Sequence, residues 1–353
     1  MYQLYSVPKA FEEHLESRLQ NFSHSLKQPQ KLAESIRKLS NIFLKGLLHA
    51  ETANDYWADP NLRAAYIGYF SVLNFVRAQS VFSEARRRRF LTSCKSVADW
   101  GCGGGAATWA LFTEIPESHH FDFTGIDKSP NALDEYKQWS KFLGIESETK
   151  NYPLSKIKEV KADTLLLSYV LNEVSDWPEI PLSVKRLIVI EPSTHQAGRE
   201  MQKWRDAMLE KGWFAWAPCT HQRHCPLIAQ SGKDWCHHRV HWNKPDWFQE
   251  LEKFLPMRND TLTLSYVLLA RTEPLQNLEG IARVIGDEQE EKGKTRQLVC
   301  RGPYREFMSW LHRDQISLKL HRGDLLKISE MAELRASEIR ILDSSSVDKI
   351  STE

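Results

Sequence analysis

The stretch Ser96-Val97-Ala98-Asp99-Trp100-Gly101-Cys102-Gly103-Gly104-Gly105 decides how the rest of the chain is read. A short apolar strand runs into a turn made almost entirely of glycine, and a helical run, Ala106 to Phe112, follows it. Such a turn bends the backbone sharply at the strand's carboxyl end. It also leaves main-chain N–H groups at the next helix's start, where a ligand can lie against them. Working outward, short apolar runs alternate with helical ones. Phe121 to Ile126 reads as a second strand ending at Asp127, Asn131 to Leu143 as a helix, and Ala162 to Tyr169 and Leu187 to Glu191 as further strands. Gln196 to Lys211 reads as a helix closed by Gly212, and Thr261 to Ala270 as a late strand. This alternation predicts an α/β fold with an open, doubly wound parallel sheet.

Asp127 lies 22 residues beyond Gly105, at the end of the second strand, where a carboxylate can accept from both hydroxyls of a ribose. The spacing Asp-x-Gly-x-Gly-x-Gly, from Asp99 through Gly101, Gly103 and Gly105, differs from the G-x-G-x-x-G of dinucleotide sites. It resembles the first motif of class I S-adenosylmethionine-dependent methyltransferases. The resemblance implies a Rossmann-like methyltransferase sheet that binds S-adenosylmethionine. Asp99 and the three glycines would lie at the cofactor, Asp127 on its ribose and Asp163, at the fourth strand's start, beside its adenine. The competing reading is a plain tight turn. The segment Ser168-Tyr169-Val170-Leu171-Asn172-Glu173 lacks the Asn/Asp-Pro-Pro-aromatic signature of base-amino methyltransferases. No cysteine occurs between Cys102 and Cys219 to act as a nucleophile there. Asn172 and Glu173 are the catalytic candidates, with Glu191-Pro192-Ser193 a second spot. Both also suit ordinary loop hydrogen bonding.

A second constellation follows: Cys219-Thr220-His221-Gln222-Arg223-His224-Cys225, then Asp234-Trp235-Cys236-His237-His238. Thiolates are costly to bury unless a metal balances their charge, and Pro218, Pro226 and Gly232 punctuate the segment as a loop-built site. A nearby histidine as fourth ligand would make a Cys3His zinc site. Cys300 would instead make four thiolates for an iron–sulfur cluster. Cys94 is the remaining option for a fourth ligand, although a lone cysteine just before a strand is more often buried filler, as is Cys102 in the turn.

Pro218-Cys219, Cys225-Pro226-Leu227, Asp234-Trp235-Cys236-His237 and Leu298-Val299-Cys300 are similar to the cysteine pattern of small-ribosomal-subunit-associated, methyltransferase-like assembly factors, known from mitochondria and widespread in bacteria. The similarity spans roughly residues 60 to 330. It implies a 4Fe-4S cluster on Cys219, Cys225, Cys236 and Cys300, and a role in maturation of the small ribosomal subunit on its rRNA. His238 departs from a frequent Phe and leaves the ligands alone. The N-terminus shows no presequence, which favours a bacterial, cytoplasmic version.

The domain organisation expected is an N-terminal helical region (1–90), a methyltransferase-like domain (91–275) with a cysteine-rich metal-binding insertion (216–245), a small β-rich domain (276–335) and a tail (336–353) that frays from Asp343. Leu32, Ile36, Leu39, Ile42 and Phe43 recur at helical spacing, and so do apolar residues from Leu62 to Phe82. The run Arg86-Arg87-Arg88-Arg89 reads equally as a solvated helix end or as a phosphate-binding patch. Ile281 to Ile285, Arg296 to Val299 and Ile316 to Leu320 are the short runs of a small β-domain. Arg296, Arg301, Arg305, Arg313, Lys319 and Arg322, with Tyr304, Trp310 and His321 among them, suit an RNA-backbone surface with stacking side chains.

Composition bounds these readings. With 353 residues, 41% hydrophobic, the chain can bury a sizeable core, and a formal net charge of +1 leaves RNA contact to local patches. No run approaches the length of a membrane helix, and no signal or transit peptide is expected, so the six cysteines should be thiols or metal ligands. A monomer when free is expected, with neither membrane nor DNA as partner. Two further functions stay open: a zinc-stabilised methyltransferase acting on a protein or small molecule, and a non-catalytic RNA-binding assembly protein with a vestigial adenosyl site.

Overall fold

In a computed structural model, residues 3–44, 55–171, 177–330, 332–335 and 338–350 are described. The first element, strand β1 (Leu4–Ser6), leads into a helical region of α1 (Lys9–Gln20), α2 (Pro29–Leu44), α3 (Pro60–Ala65) and α4 (Ser71–Arg87), with one π turn at Tyr66–Phe70. Strands and helices then alternate: β2 (Ser96–Trp100), α5 (Ala106–Glu114), β3 (Asp122–Asp127), α6 (Pro130–Leu143), β4 (Ser147–Asn151), β5 (Thr164–Ser168), β6 (Arg186–Glu191) and α7 (His195–Glu210). Next come β7 (Phe214–Ala217), α8 (Pro226–Gln230), β8 (His238–Asn243), α9 (Asp246–Glu252) and β9 (Thr261–Ala270). The C-terminal part is all strand: β10 (Ala282–Glu291), β11 (Lys294–Cys300), β12 (Arg305–Leu311), β13 (Leu325–Ile328), β14 (Glu333–Arg335), β15 (Glu338–Arg340) and β16 (Val347–Lys349). Two compact units result, one of residues 1–86, 93–184 and 240–262, the other of 87–92, 185–239 and 263–353.

In the first unit β5, β2, β3 and β4 lie side by side, all parallel. Counted from β2, that is the order fourth, first, second, third, one half of a doubly wound sheet. The expected fold class holds: α/β with a parallel sheet, helices ahead of it in the chain and a C-terminal β sheet. Local signals explain the helices. Ser129 accepts the Ala132 N–H to cap α6, Pro130 opens its first turn, and Gly144, at φ +69°, closes it. Glu135 of α6, with no exposed side-chain surface, takes Arg18 of α1 at 2.8 Å and Arg63 of α3 at 2.7 Å, which ties the N-terminal helices to the sheet's covering layer.

In the second unit the antiparallel β9 lies between β6 and β7, with Ile188 opposite Leu268. The C-terminal strands form a second sheet in the order β14-β15-β12-β11-β10-β13-β16 over a core of Val284, Val299, Met308, Trp310, Leu326 and Ile339.

Several sequence expectations are corrected. Ile316 to Leu320 is not a strand but an irregular segment whose Ile316, Leu318 and Leu320 pack against that core. The segment expected to fray from Asp343 supplies β16, which pairs with β13 in the sheet. Arg88, read either as solvated or as phosphate-binding, is only 3% exposed and donates to Gln276 Oε1 at 2.9 Å. β4 escaped notice because Ser147-Glu148-Thr149-Lys150-Asn151 is a wholly polar edge strand, and periodicity has nothing to register there.

Candidate functional site

The carboxyl ends of β2 and β3 bring the expected cofactor residues together in the first unit. Gly101 (φ +72°) and Gly105 (φ +95°) occupy left-handed backbone conformations, and a Cβ on Gly105 would stand 2.6 Å from the Trp109 ring. Packing and backbone shape alone thus require these glycines, so the ligand reading rests on the carboxylates. Asp127 receives the Gly103 N–H on Oδ2 at 2.9 Å and the Ser129 N–H on Oδ1 at 2.8 Å. Two of its roughly four lone-pair sites are used, and the others can take a diol. Burial raises its pKa, opposed by those two N–H bonds.

Asp99 is 1% exposed. Its Oδ2 accepts from the Thr108 hydroxyl at 2.7 Å, and its Oδ1 is buried with no hydrogen bond. Burial pushes its pKa to about 7, the Asp127 charge adding to the rise and Thr108 opposing it. Asp99 can therefore hold a proton near neutrality and offer it from Oδ1. Cys102, in the turn, is buried and its thiol is raised by burial and by both carboxylates, as expected of filler.

Asp163 stands apart from this group, which corrects its reading as an adenine neighbour. In the parallel register Val97 faces Thr164 and Trp100 faces Leu167, so Asp163 sits at the amino ends of the strands. Its carboxylate accepts the Lys95 N–H at 3.0 Å, and its own N–H donates to Ser96 Oγ. Four residues of strand, about 13 Å, separate that end from the glycine turn. Asn172 and Glu173 lie outside the described residues. The sequence reading missed Trp57 and Tyr66, whose rings stand against Gly103, because they come from the helical region and carry no motif.

The cysteines form a second site in the second unit, built on α7. Arg205, 2% exposed, donates to the His221 carbonyl at 2.7 Å and to the Arg223 carbonyl, while Asp206 accepts the Cys225 N–H at 2.9 Å. One turn and a half earlier, Arg199 donates to the carbonyls of Leu227, Ser231 and Asp234. One helix face thus shapes the whole loop from residue 221 to 234. Ser265 of β9 holds the Cys236 carbonyl at 2.9 Å. Cys219, Cys225, Cys236 and Cys300 line one cavity of about 40 Å³, with Arg205 and Arg283 in its wall. Burial, then the charges of the neighbouring cysteines, push Cys225 up to about 11 and Cys236 to about 12, and lift Cys300 as well. Arg205 Nε is buried without a hydrogen bond at this cavity. The neighbouring cysteines penalise ionisation of Cys225, Cys236 and Cys300, and a buried guanidinium stands beside them, so anionic sulfur at this cavity would need a counter-charge. Among the described residues no group of three or more His, Cys, Asp or Glu side chains is placed to hold a metal ion.

Four of the six cations expected to meet RNA are paired inside the second unit, whereas Arg313 and Lys319 are exposed. Arg301 pairs with Glu306 at 2.7 Å, Arg305 with Asp234 and Arg322 with Asp287, while Arg296 pairs with Glu291 and lies over the Phe307 ring. Trp310 is buried in the core rather than offered for stacking. Each of these arginines has a carboxylate beside it that lies elsewhere in the chain, on a neighbouring strand for Arg296 and across a loop for Arg305 and Arg322.

One unit thus carries a glycine-rich turn beside two carboxylates, and the other a pocket lined by four thiols. The chain belongs to the family described as mitochondrial small ribosomal subunit Rsm22, whose model matches residues 63–330. No curated protein matches it significantly. Among solved structures it is similar to the plantazolicin methyltransferase BpumL in complex with SAH, at 13% identity and a TM-score of 0.35, over 68% of this chain and 100% of that one. It is also similar to the 16S rRNA methylase ArmA (12%, 0.34, over 67% and 97%). An O-methyltransferase family protein from Burkholderia thailandensis gives 12% and 0.36, over 69% and 73%. Among the described residues no helix is long and apolar enough to cross a membrane.

Proposed function

We propose that this protein is an S-adenosylmethionine-binding, 4Fe-4S-containing methyltransferase-like factor that acts on the small ribosomal subunit and its rRNA. The observation that carries the proposal is the family match, whose residues 63–330 include both the glycine turn and all four pocket cysteines. Asp127 supports the first half with unused acceptor sites at the end of β3, where a ribose diol would be held. Bound S-adenosylmethionine supplies an electrophilic methyl group on a sulfonium sulfur. The chain's own part is to orient it: the turn's backbone against the ligand, Asp127 on the ribose, and Asp99 as a buried group able to hold a proton.

Cys219, Cys225, Cys236 and Cys300 would hold the cluster. Thiols arranged around a cavity suit a centre of several atoms better than a lone zinc ion, which requires its donors gathered at one point. The cluster would fasten the loop after β7 to β11, and Arg205 would offset its negative charge.

Incubating the purified protein with small subunits and methyl-tritiated S-adenosylmethionine tests this reading. Co-sedimentation with the subunit and tritium in the rRNA are the expected results. Loss of both overturns the proposal, and co-sedimentation without tritium reduces it to a binding factor.

A further inference from the structure

The glycine turn is covered by a segment of the N-terminal region to which no role has been assigned. Asp55 to Ala58 form a single tight turn in which Asp55 Oδ1 accepts the Trp57 N–H at 3.0 Å. The other oxygen of Asp55 accepts from the Ser129 hydroxyl at 2.6 Å. Ser129 in turn gives its N–H to Asp127, and Asp127 takes the Gly103 N–H. Trp57 closes the circuit. Its ring is 3% exposed and stands where a Cβ on Gly103 would come within 3.2 Å and one on Gly104 within 3.4 Å. Tyr66 backs it at a ring separation of 4.4 Å, with its hydroxyl 3.5 Å from the same Gly103 position.

We infer that the Asp55–Trp57 segment is part of the adenosyl site, a strap whose indole fixes the peptide planes of Gly103 and Gly104 and whose carboxylate is linked through Ser129 to the ribose-binding Asp127. The inference rests on the adenosyl reading above and adds to it a positioning residue, Trp57, outside the sheet domain. The physical reason is rigidity. Two adjacent glycines have the least constrained backbone in the chain, and their N–H groups serve a ligand only if something holds them in place. A flat ring occupying the space that a side chain on either glycine would need supplies that constraint. Because Gly103 and Asp127 are joined by a hydrogen bond, a nucleoside that engages Asp127 should tighten the strap, and the strap should tighten the nucleoside by the same factor.

The test measures S-adenosylhomocysteine affinity by calorimetry for the full-length protein, alongside hydrogen exchange of residues 55–66. Trp57→Ala is expected to weaken binding at least tenfold and Trp57→Phe by no more than about threefold, since a ring of either kind can cover the turn. Asp55→Asn, at an exposed position, keeps the fold and is expected to weaken binding severalfold. In the parent protein the ligand should slow exchange across 55–66. Parent-like affinity in both Trp57→Ala and Asp55→Asn, or exchange at 55–66 unaltered by bound ligand, overturns the strap. If Trp57→Ala fails to fold, Asp55→Asn and the exchange data decide. A parent protein that shows no binding heat overturns the adenosyl reading itself, a result distinct from the others.

Discussion

The Nε2 of His221 lies 3.5 Å from the sulfur of Cys300, 79 residues further along the chain. Its Nδ1 accepts the Arg223 N–H at 3.2 Å, so the ring proton sits on Nε2 and is donated to the sulfur. Burial and the nearby Arg205 lower the pKa of His221 to about 4, which keeps the ring neutral at physiological pH. The loop after β7 and the end of β11 are thereby joined even before a metal is considered.

Replacing Cys300 by Ser should remove the proposed cluster and lower the melting temperature by roughly 6–12 °C, the shift that about 3 kcal/mol produces in a domain of this size. Differential scanning calorimetry of protein purified without oxygen checks it. A variant that keeps its iron and melts like the parent would refute a structural role for that thiol.

Asp127→Ala takes a charged acceptor from two hydroxyls and should weaken S-adenosylhomocysteine binding by about 1–3 kcal/mol, or roughly 5- to 150-fold. Isothermal titration measures this directly. Unchanged affinity would mean the ribose is held elsewhere.

Much of the first site could be read from residue order alone. Strand β2 and strand β9 fall on the residues expected, because an apolar run ending in glycine, and a ten-residue run such as Thr261–Ala270, announce themselves without tertiary information. The four cysteines were likewise found by spacing and resemblance. What stayed hidden depends on pairing across space. Asp163 looks like a neighbour of Asp127 until the parallel register puts it at the other end of the sheet. The arginines of the last sheet look basic until Glu306, Asp234 and Asp287 are seen opposite them. Trp57 reaches the turn through the fold of a region whose sequence shows only helical periodicity.

Glu135→Ala should destabilise the protein by about 3–5 kcal/mol, because the buried carboxylate is the shared partner of Arg18 and Arg63 and its removal leaves two guanidinium groups without a counter-charge. Urea denaturation gives the value. A loss under about 1 kcal/mol would show that solvent reaches and satisfies both arginines.

Asp99 makes a pH prediction. Its folded pKa of about 7 lies above the ordinary carboxyl value of 3.8, so between those values the native state binds more protons than the unfolded one. Stability contributed by this group is therefore present below pH 4 and declines as pH rises toward 7, by about 1.4 kcal/mol per unit at most. Asp99→Asn, which cannot ionise, should flatten that slope. Denaturation curves at a series of pH values compare the two, and parallel slopes would place the titration on another group.

Metal analysis of protein purified and kept free of oxygen decides whether Cys219, Cys225, Cys236 and Cys300 hold one inorganic centre. Four irons and four acid-labile sulfides per chain are expected, in a brown solution that Cys236→Ser renders colourless. One zinc per chain with no labile sulfide, or a metal-free protein as stable as the purified parent, would contradict that expectation.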